Sequence, residues 1–115
     1  MNQPMQSRYP DYIESDVPGA SICLPFQGRV IGVYCTIEKD SGRFLYSIDG
    51  APEQEVSCWD SYALRFDRAH YRILADQLRE GSHVLTLRVS GNKDEQSLGN
   101  MIRIGAFLVE KRIFD

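Results

Sequence analysis

At 115 residues the chain is long enough for one domain that buries its own core without disulfides or metals. Its composition, 43% hydrophobic and 25% charged, is ordinary for a globular protein. A net charge of −3 argues against a nucleic-acid partner, because gripping phosphates needs a basic face. No apolar run approaches the roughly 18 residues of a membrane span, which argues against a membrane partner.

The first six residues, Met1-Asn2-Gln3-Pro4-Met5-Gln6, have neither the basic start nor the apolar stretch of a secretory signal. Residues 1–15 read as a flexible N-terminal arm. The domain proper begins at the turn signature Asp16-Val17-Pro18-Gly19 and runs to residue 109, and residues 110–115 form a tail. Ala20 to Phe26 reads as a strand with Ile22, Leu24 and Phe26 on one face, and Pro25 inside it favours an edge position or the end of the strand. Arg29 to Thr36 is apolar on both faces (Ile31, Val33 and Cys35 against Val30, Gly32 and Tyr34), which predicts a central strand covered on both sides.

From Gly42 to Asp60 the chain carries a hairpin signal. Phe44, Tyr46 and Ile48 alternate along one strand. Asp49-Gly50 tolerates the positive φ of a tight reversal, and Val56 and Cys58 start the return. Ser61 to Arg68 is a loop or a loose strand. His70 to Leu78 fits a helical face (Tyr71, Leu74, Ala75, Leu78) as well as a strand (Tyr71, Ile73, Ala75). His83 to Ser90 is a clear strand with Leu85, Leu87 and Val89 inward. Gly91 to Asn100 is a polar loop. Met101 to Val109 is a last strand, with Ile102, Ile104, Ala106 and Leu108 opposed to Met101, Arg103, Gly105 and Phe107. Seven or eight short strands, with turns every 8–12 residues or so and no βαβ alternation, predict an all-β antiparallel sandwich.

Cys23, Cys35 and Cys58 form no Cys-x-x-Cys pair, and an odd number cannot close completely into intrachain disulfides. They read as small buried hydrophobes in a reducing compartment, and with no signal in view a cytoplasmic location is expected.

An ordered series of short motifs carries a resemblance. It comprises Asp16-Val17-Pro18-Gly19-Ala20, Phe26-Gln27-Gly28, Ile31-Gly32-Val33-Tyr34, Tyr46-Ser47-Ile48-Asp49-Gly50, Gly81-x-His83 before Leu85-Thr86-Leu87-Arg88, and Ser97-x-Gly99 before Ile102-Arg103-Ile104. Over residues 14 to 109 it resembles the accessory domain beside the catalytic domain of SGNH/GDSL-type ester hydrolases. The resemblance implies a galactose-binding-like jelly roll, a strand rather than a helix at His70 to Ala75, and a carbohydrate-associated setting. The Gly-Asp-Ser nucleophile motif of those hydrolases is absent from the chain. Asp67-Arg68-Ala69-His70 matches their Asp-x-x-His, but with nine Asp and two His that spacing arises readily by chance. Without a nucleophile and an oxyanion hole the pair makes no hydrolase, so no catalytic residue is assigned.

Sugar binders lay an aromatic face against the apolar side of a pyranose and hold its hydroxyls with polar groups. Trp59, beside Asp60 and Tyr62, suits such a platform, although a lone Trp also suits the rim of a core. Arg43, Arg68, Arg72, Arg88 and Arg103 lie on or beside strands, where a guanidinium grips a carboxylate or a hydroxyl pair. The loop at Asn92 is the candidate specificity edge. Together these make Trp59, Tyr62, Arg68, His70 and Asn92 the candidate ligand-binding set. Asp49 reads as a cap on its own turn and His83 as a structural hydrogen-bonder. Asp40, Asp94 and Glu95 are the carboxylates that a structural calcium would need, but two separate loops do not show the six to eight converging oxygens of such a site, so no cofactor is assigned. The expected partners are carbohydrate or an SGNH-type catalytic domain. The alternative is docking or self-association, to a homodimer, through an edge strand or the Ile113-Phe114 tail.

Overall fold

The computed structural model describes residues 6–9 and 12–110. The first residues of the expected arm and the Ile113-Phe114 tail lie outside the described residues. Nine strands occur among the described residues: β1 (Gln6–Tyr9), β2 (Tyr12–Ser15), β3 (Ser21–Gln27), β4 (Val30–Ile37), β5 (Arg43–Ile48), β6 (Gln54–Ser57), β7 (Arg68–Ala75), β8 (Ser82–Val89) and β9 (Ile102–Glu110). A 3-10 turn, Ser61–Leu64, lies between β6 and β7. One sheet has the order β1-β2-β9-β4-β7 and the other β3-β8-β5-β6. Every strand pairing is antiparallel, so the architecture is the all-β sandwich that the alternation predicts.

The core lies between the sheets. Ile31, Val33, Cys35, Ile102 and Ile104 face Phe44, Tyr46, Leu85, Leu87 and Val89, all of them buried. Removing each such aliphatic side chain from water contributes about 1.5–3 kcal/mol. The Asp49-Gly50 reversal is as expected, with φ of 56° and 76°. β3 is an edge strand, so the missing N–H of Pro25 costs no ladder bond. β7 is a strand, which resolves the ambiguity at His70 to Ala75 in favour of the resemblance.

Several details differ from the sequence reading. Tyr12–Ser15 is not a loose arm: it pairs with β9, placing Ile13 opposite Ile104. β4 is central, between β9 and β7, as expected, but its outer face is covered only in part: Val30 and Gly32 are buried there. Tyr34, read as core, is 40% exposed on the outer face and stacks at 5.0 Å on Tyr71, which lies over Gly32. β9 changes phase part-way. Cys35 pairs with Ile104 and Tyr34 with Ala106, so Gly105 is a bulge; beyond it Phe107 rather than Ala106 or Leu108 packs on the core. Cys23 is exposed, unlike Cys35 and Cys58.

The pairings sort the connections. Residues 16–20, 38–42, 58–67 and 90–101 all gather at one end of the sandwich, whereas the turns at 28–29, 49–53 and 76–81 gather at the other. Backbone bonds stitch the long-loop end: Gly42 N–H donates to the Met101 carbonyl at 2.9 Å, Leu98 to Lys39 at 2.9 Å, and Cys58 to Gly42 at 2.9 Å.

Candidate ligand-binding rim

The segment after β6 builds the most exposed aromatic surface at the long-loop end. The Asp60 carboxylate accepts from the Tyr62 N–H at 3.0 Å and so starts the 3-10 turn. That turn points Tyr62 outward, 60% exposed, and it brings Phe66, 51% exposed, to 6.4 Å from it. Arg68, the first residue of β7, pairs with Asp60, and its guanidinium carbon stands 6.0 Å from the Tyr62 ring centre and 5.5 Å from that of Phe66. The result is an aromatic ledge with a cation and a carboxylate along one side.

Trp59, which precedes Asp60, is half-buried. Its backbone carbonyl accepts from the Ser57 hydroxyl at 3.2 Å. The indole Nε1 of Trp59 and the Nη1 of Arg68 are buried without a hydrogen-bond partner among the described residues. An unmet buried donor costs about 1–3 kcal/mol, which a hydroxyl or a water reaching it would recover.

Two of the five predicted residues, Tyr62 and Arg68, are thus brought together, and Trp59 adjoins them in sequence through Asp60. Asn92 is not part of the ledge. Its side-chain amide donates to Glu55 at 3.0 Å, within a polar network in which Asp94 accepts from Arg43 at 2.8 Å and from the Ser57 hydroxyl at 3.2 Å. The Glu55 carboxyl is held below its ordinary value by Ser90, then Asn92, then Arg43. His70 is exposed opposite Cys35 on β7, and among the described residues no hydrogen bond or ion pair joins it to Asp67. Sequence reasoning missed Phe66. Its signal was the Asp60-Ser61 helix start, which turns Tyr62 and Phe66 to neighbouring positions instead of the alternating ones of a strand.

The other charged groups serve the fold. Arg103 is buried on β9, with both terminal nitrogens on Asp40 at 2.8 and 2.9 Å and with Glu14 and Glu38 each 3.5 Å away. Its hydrogen bonds hold the Asp40 carboxyl low, while burial lifts that of Glu38. Asp40 and Asp94 are therefore engaged by arginines, and no group of three metal-ligating side chains occurs among the described residues.

At the opposite end Asp49 does not cap its own turn. It reaches across to β8, accepting from the Val84 N–H at 2.8 Å and meeting His83 Nδ1 at 2.6 Å. His83 Nε2 faces the Arg79 carbonyl at 2.5 Å. Two acceptors, one on each ring nitrogen, favour the doubly protonated imidazolium, and the Asp49 carboxylate first and the Arg79 carbonyl second raise its pKa. An open depression of about 480 Å3 lies beside this pair, lined by Pro25, Phe26, Gln27 and Ser82 as well.

No family model matches the sequence, and no curated protein matches it significantly. Solved structures do match. One is a two-domain esterase active on acetylated mannans, co-crystallised with mannopentaose: TM-score 0.73 at 12% identity, over 90% of this chain and 28% of that one. Another is a family two carbohydrate esterase from Clostridium thermocellum in complex with cellohexaose: TM-score 0.63 at 19% identity, over 93% of this chain and 29% of that one. The chain has the fold of the part of these esterases that it covers. It spans under a third of the length of these esterases, and the fold is what the likeness shows. The accessory-domain resemblance carried by residues 14 to 109 is met at the level of fold.

Proposed function

We propose that this chain is a non-catalytic, carbohydrate-associated module that serves an SGNH-type ester hydrolase. It meets glycan at the long-loop rim through Tyr62, Phe66 and Arg68, with Trp59 adjoining them in sequence. The observation that carries the reading is the ledge itself: two aromatic rings more than half exposed, beside a guanidinium and a carboxylate. An aromatic face takes the apolar side of a pyranose, and the charged pair supplies a donor and an acceptor for its hydroxyls. The like-folded esterases crystallised with mannopentaose and cellohexaose supply the probes.

Calorimetric titration of the chain with these two oligosaccharides tests the reading. Binding is expected to at least one, weakened about tenfold by Tyr62→Ala or Phe66→Ala, because a stacked ring contributes on the order of 1 kcal/mol or more. No heat with either sugar, or binding unchanged in both variants, refutes it.

A second reading, docking, rests on the outer face of the five-stranded sheet. Tyr34, Tyr71, Ile73, Ala106 and Leu108 lie there with no charge among them, and Ile73 is 55% exposed. The corresponding face of the other sheet carries the Arg88–Glu53 and Arg43–Glu55 pairs. An apolar patch on a sheet face, bordered by Glu110 and the Glu14–Arg103 pair, suits burial against the catalytic domain. Sedimentation of the chain alone tests whether a second copy covers that face instead: a dimer abolished by Ile73→Lys would assign the face to self-association.

A further inference from the structure

The two buried thiols lie against each other. Cys35 is on β4 in the five-stranded sheet, and Cys58 follows β6 at the edge of the four-stranded sheet. Their sulfurs are 3.5 Å apart, both are shielded from solvent, and the Cys58 thiol donates to Cys35 Sγ. The third cysteine takes no part: Cys23 is exposed and is 3.8 Å from the Thr86 hydroxyl. The odd count thus divides into one pair and one surface thiol.

We propose that Cys35 and Cys58 are a covalent modification site, a dithiol that closes to an inter-sheet disulfide when the chain meets a disulfide oxidant. A disulfide needs its sulfurs about 2.05 Å apart, so the gap must shorten by about 1.5 Å. No strand need change its partners for that. β6 is four residues long and paired on one side only, and the Cys58 backbone is held by a single bond to the Gly42 carbonyl at 2.9 Å. The same weak edge admits the oxidant when the 57–60 segment opens.

The chemistry balances with oxidised glutathione as the oxidant. The Cys35 thiolate attacks one sulfur of glutathione disulfide; the sulfur–sulfur bond of glutathione breaks and one glutathione thiolate leaves. Cys58, deprotonated, then attacks the Cys35 sulfur of the mixed disulfide and expels the second glutathione. Two thiol protons pass to solvent or to the departing thiolates, and two electrons pass from the protein to glutathione. The hydrogen bond from Cys58 and the charge of Arg72 favour the thiolate on Cys35, which makes Cys35 the attacking sulfur. The bond would tie the two layers together at the root of the segment that carries Trp59 and Tyr62, and its formation is independent of what the rim binds.

The test uses the full chain with Cys23→Ser, so that intermolecular disulfides cannot form. Reduced protein is incubated folded with oxidised glutathione, then denatured and titrated for thiols, mapped by peptide mass without reductant, and melted. The titre is expected to fall from two thiols to none. The Cys35 and Cys58 peptides are expected to be linked, about 2 Da lighter than their sum. The melting temperature is expected to rise by about 10 °C, the shift for closing a loop of this length in a chain of this size. Both thiols remaining titratable overturns the proposal. So does stable glutathione on either cysteine without the cross-link, or a cross-linked form that melts below the reduced one.

Discussion

Arg103 offers the sharpest test of how the long-loop end is held. Arg103→Met keeps most of the side-chain volume and removes the charge. Two charge-assisted bonds to Asp40 are lost, and Glu14, Glu38 and Asp40 are left around an apolar side chain. Removing one partner of a buried ion pair costs about 3–5 kcal/mol. The Asp40 side chain is 39% exposed and rehydrates in part, so the lower end applies, about 3 kcal/mol. For a chain of this length that lowers the melting temperature by about 10 °C. The pH dependence carries a second signature. In the native protein Arg103 lowers the Asp40 pKa, so the contribution of Asp40 is present above the unfolded carboxylate value of about 4 and is lost as pH falls through the folded one. In the variant Glu38 and Asp40 lose the counter-charge of Arg103 and repel each other, so acid relieves them. The stability gap between the two proteins should therefore narrow from pH 7 to pH 4. Urea denaturation followed by the fluorescence of Trp59 measures both quantities. A gap below about 1 kcal/mol at pH 7, or one that stays constant down to pH 4, would refute the account of Arg103 as the charge that neutralises this cluster.

Two further outcomes follow from the geometry. The raised pKa of His83 means that its contribution is fully present below the unfolded value of about 6.5 and is lost as pH rises through the folded one, while the lowered pKa of Asp49 means the opposite at acid pH. Asp49→Asn should therefore destabilise most near pH 5–6 and progressively less above neutrality; an NMR titration that puts His83 at or below its ordinary value would contradict this. At Gly42 an added Cβ would lie 2.6 Å from Asn100 Cα and 2.8 Å from its carbonyl carbon, both backbone atoms, whereas at Gly105 it would meet nothing within 4 Å. Gly42→Ala should cost about 2–3 kcal/mol and Gly105→Ala nothing, with a gain of up to about 0.5–1 kcal/mol from reduced chain entropy, and thermal melts in the reverse order would sink the steric argument.

Most strands were legible because a half-buried strand alternates, as Leu85, Leu87 and Val89 do against Val84, Thr86 and Arg88. Alternation fails where both faces are apolar. Ala106, Phe107, Leu108 and Val109 read equally well in either phase, so the slip at Gly105 leaves no trace in composition. For the same reason Tyr34 read as core, since an apolar side chain does not say whether its cover lies in its own chain. β2 escaped notice because its Glu14 and Ser15 looked like solvent-facing polar residues, whereas Glu14 lies beside a buried arginine. At the rim, Tyr62 and Arg68 were legible as neighbours because they are close in sequence and one local turn gathers them. The partners of Asn92 come from strands far along the chain, and no spacing rule reaches them.

Of the five arginines that stood out in the sequence, four are accounted for by the fold. Arg43 joins the loop at Asp94 to β5, Arg88 holds Glu53 across the hairpin, Arg103 neutralises the carboxylates near Asp40, and Arg72 donates to the Ser57 carbonyl at 2.9 Å. Arg68 differs in one way: its guanidinium lies over two exposed rings. Its Nη1, like the Nε of Arg72, lacks a hydrogen-bond partner among the described residues. A fold that needed Arg68 only as a strut would have covered Tyr62 and Phe66, since leaving two large rings in water forgoes the stabilisation their burial would bring. Elimination therefore leads to the same ledge as exposure does: the rim retains surface and donors that the sandwich itself does not use.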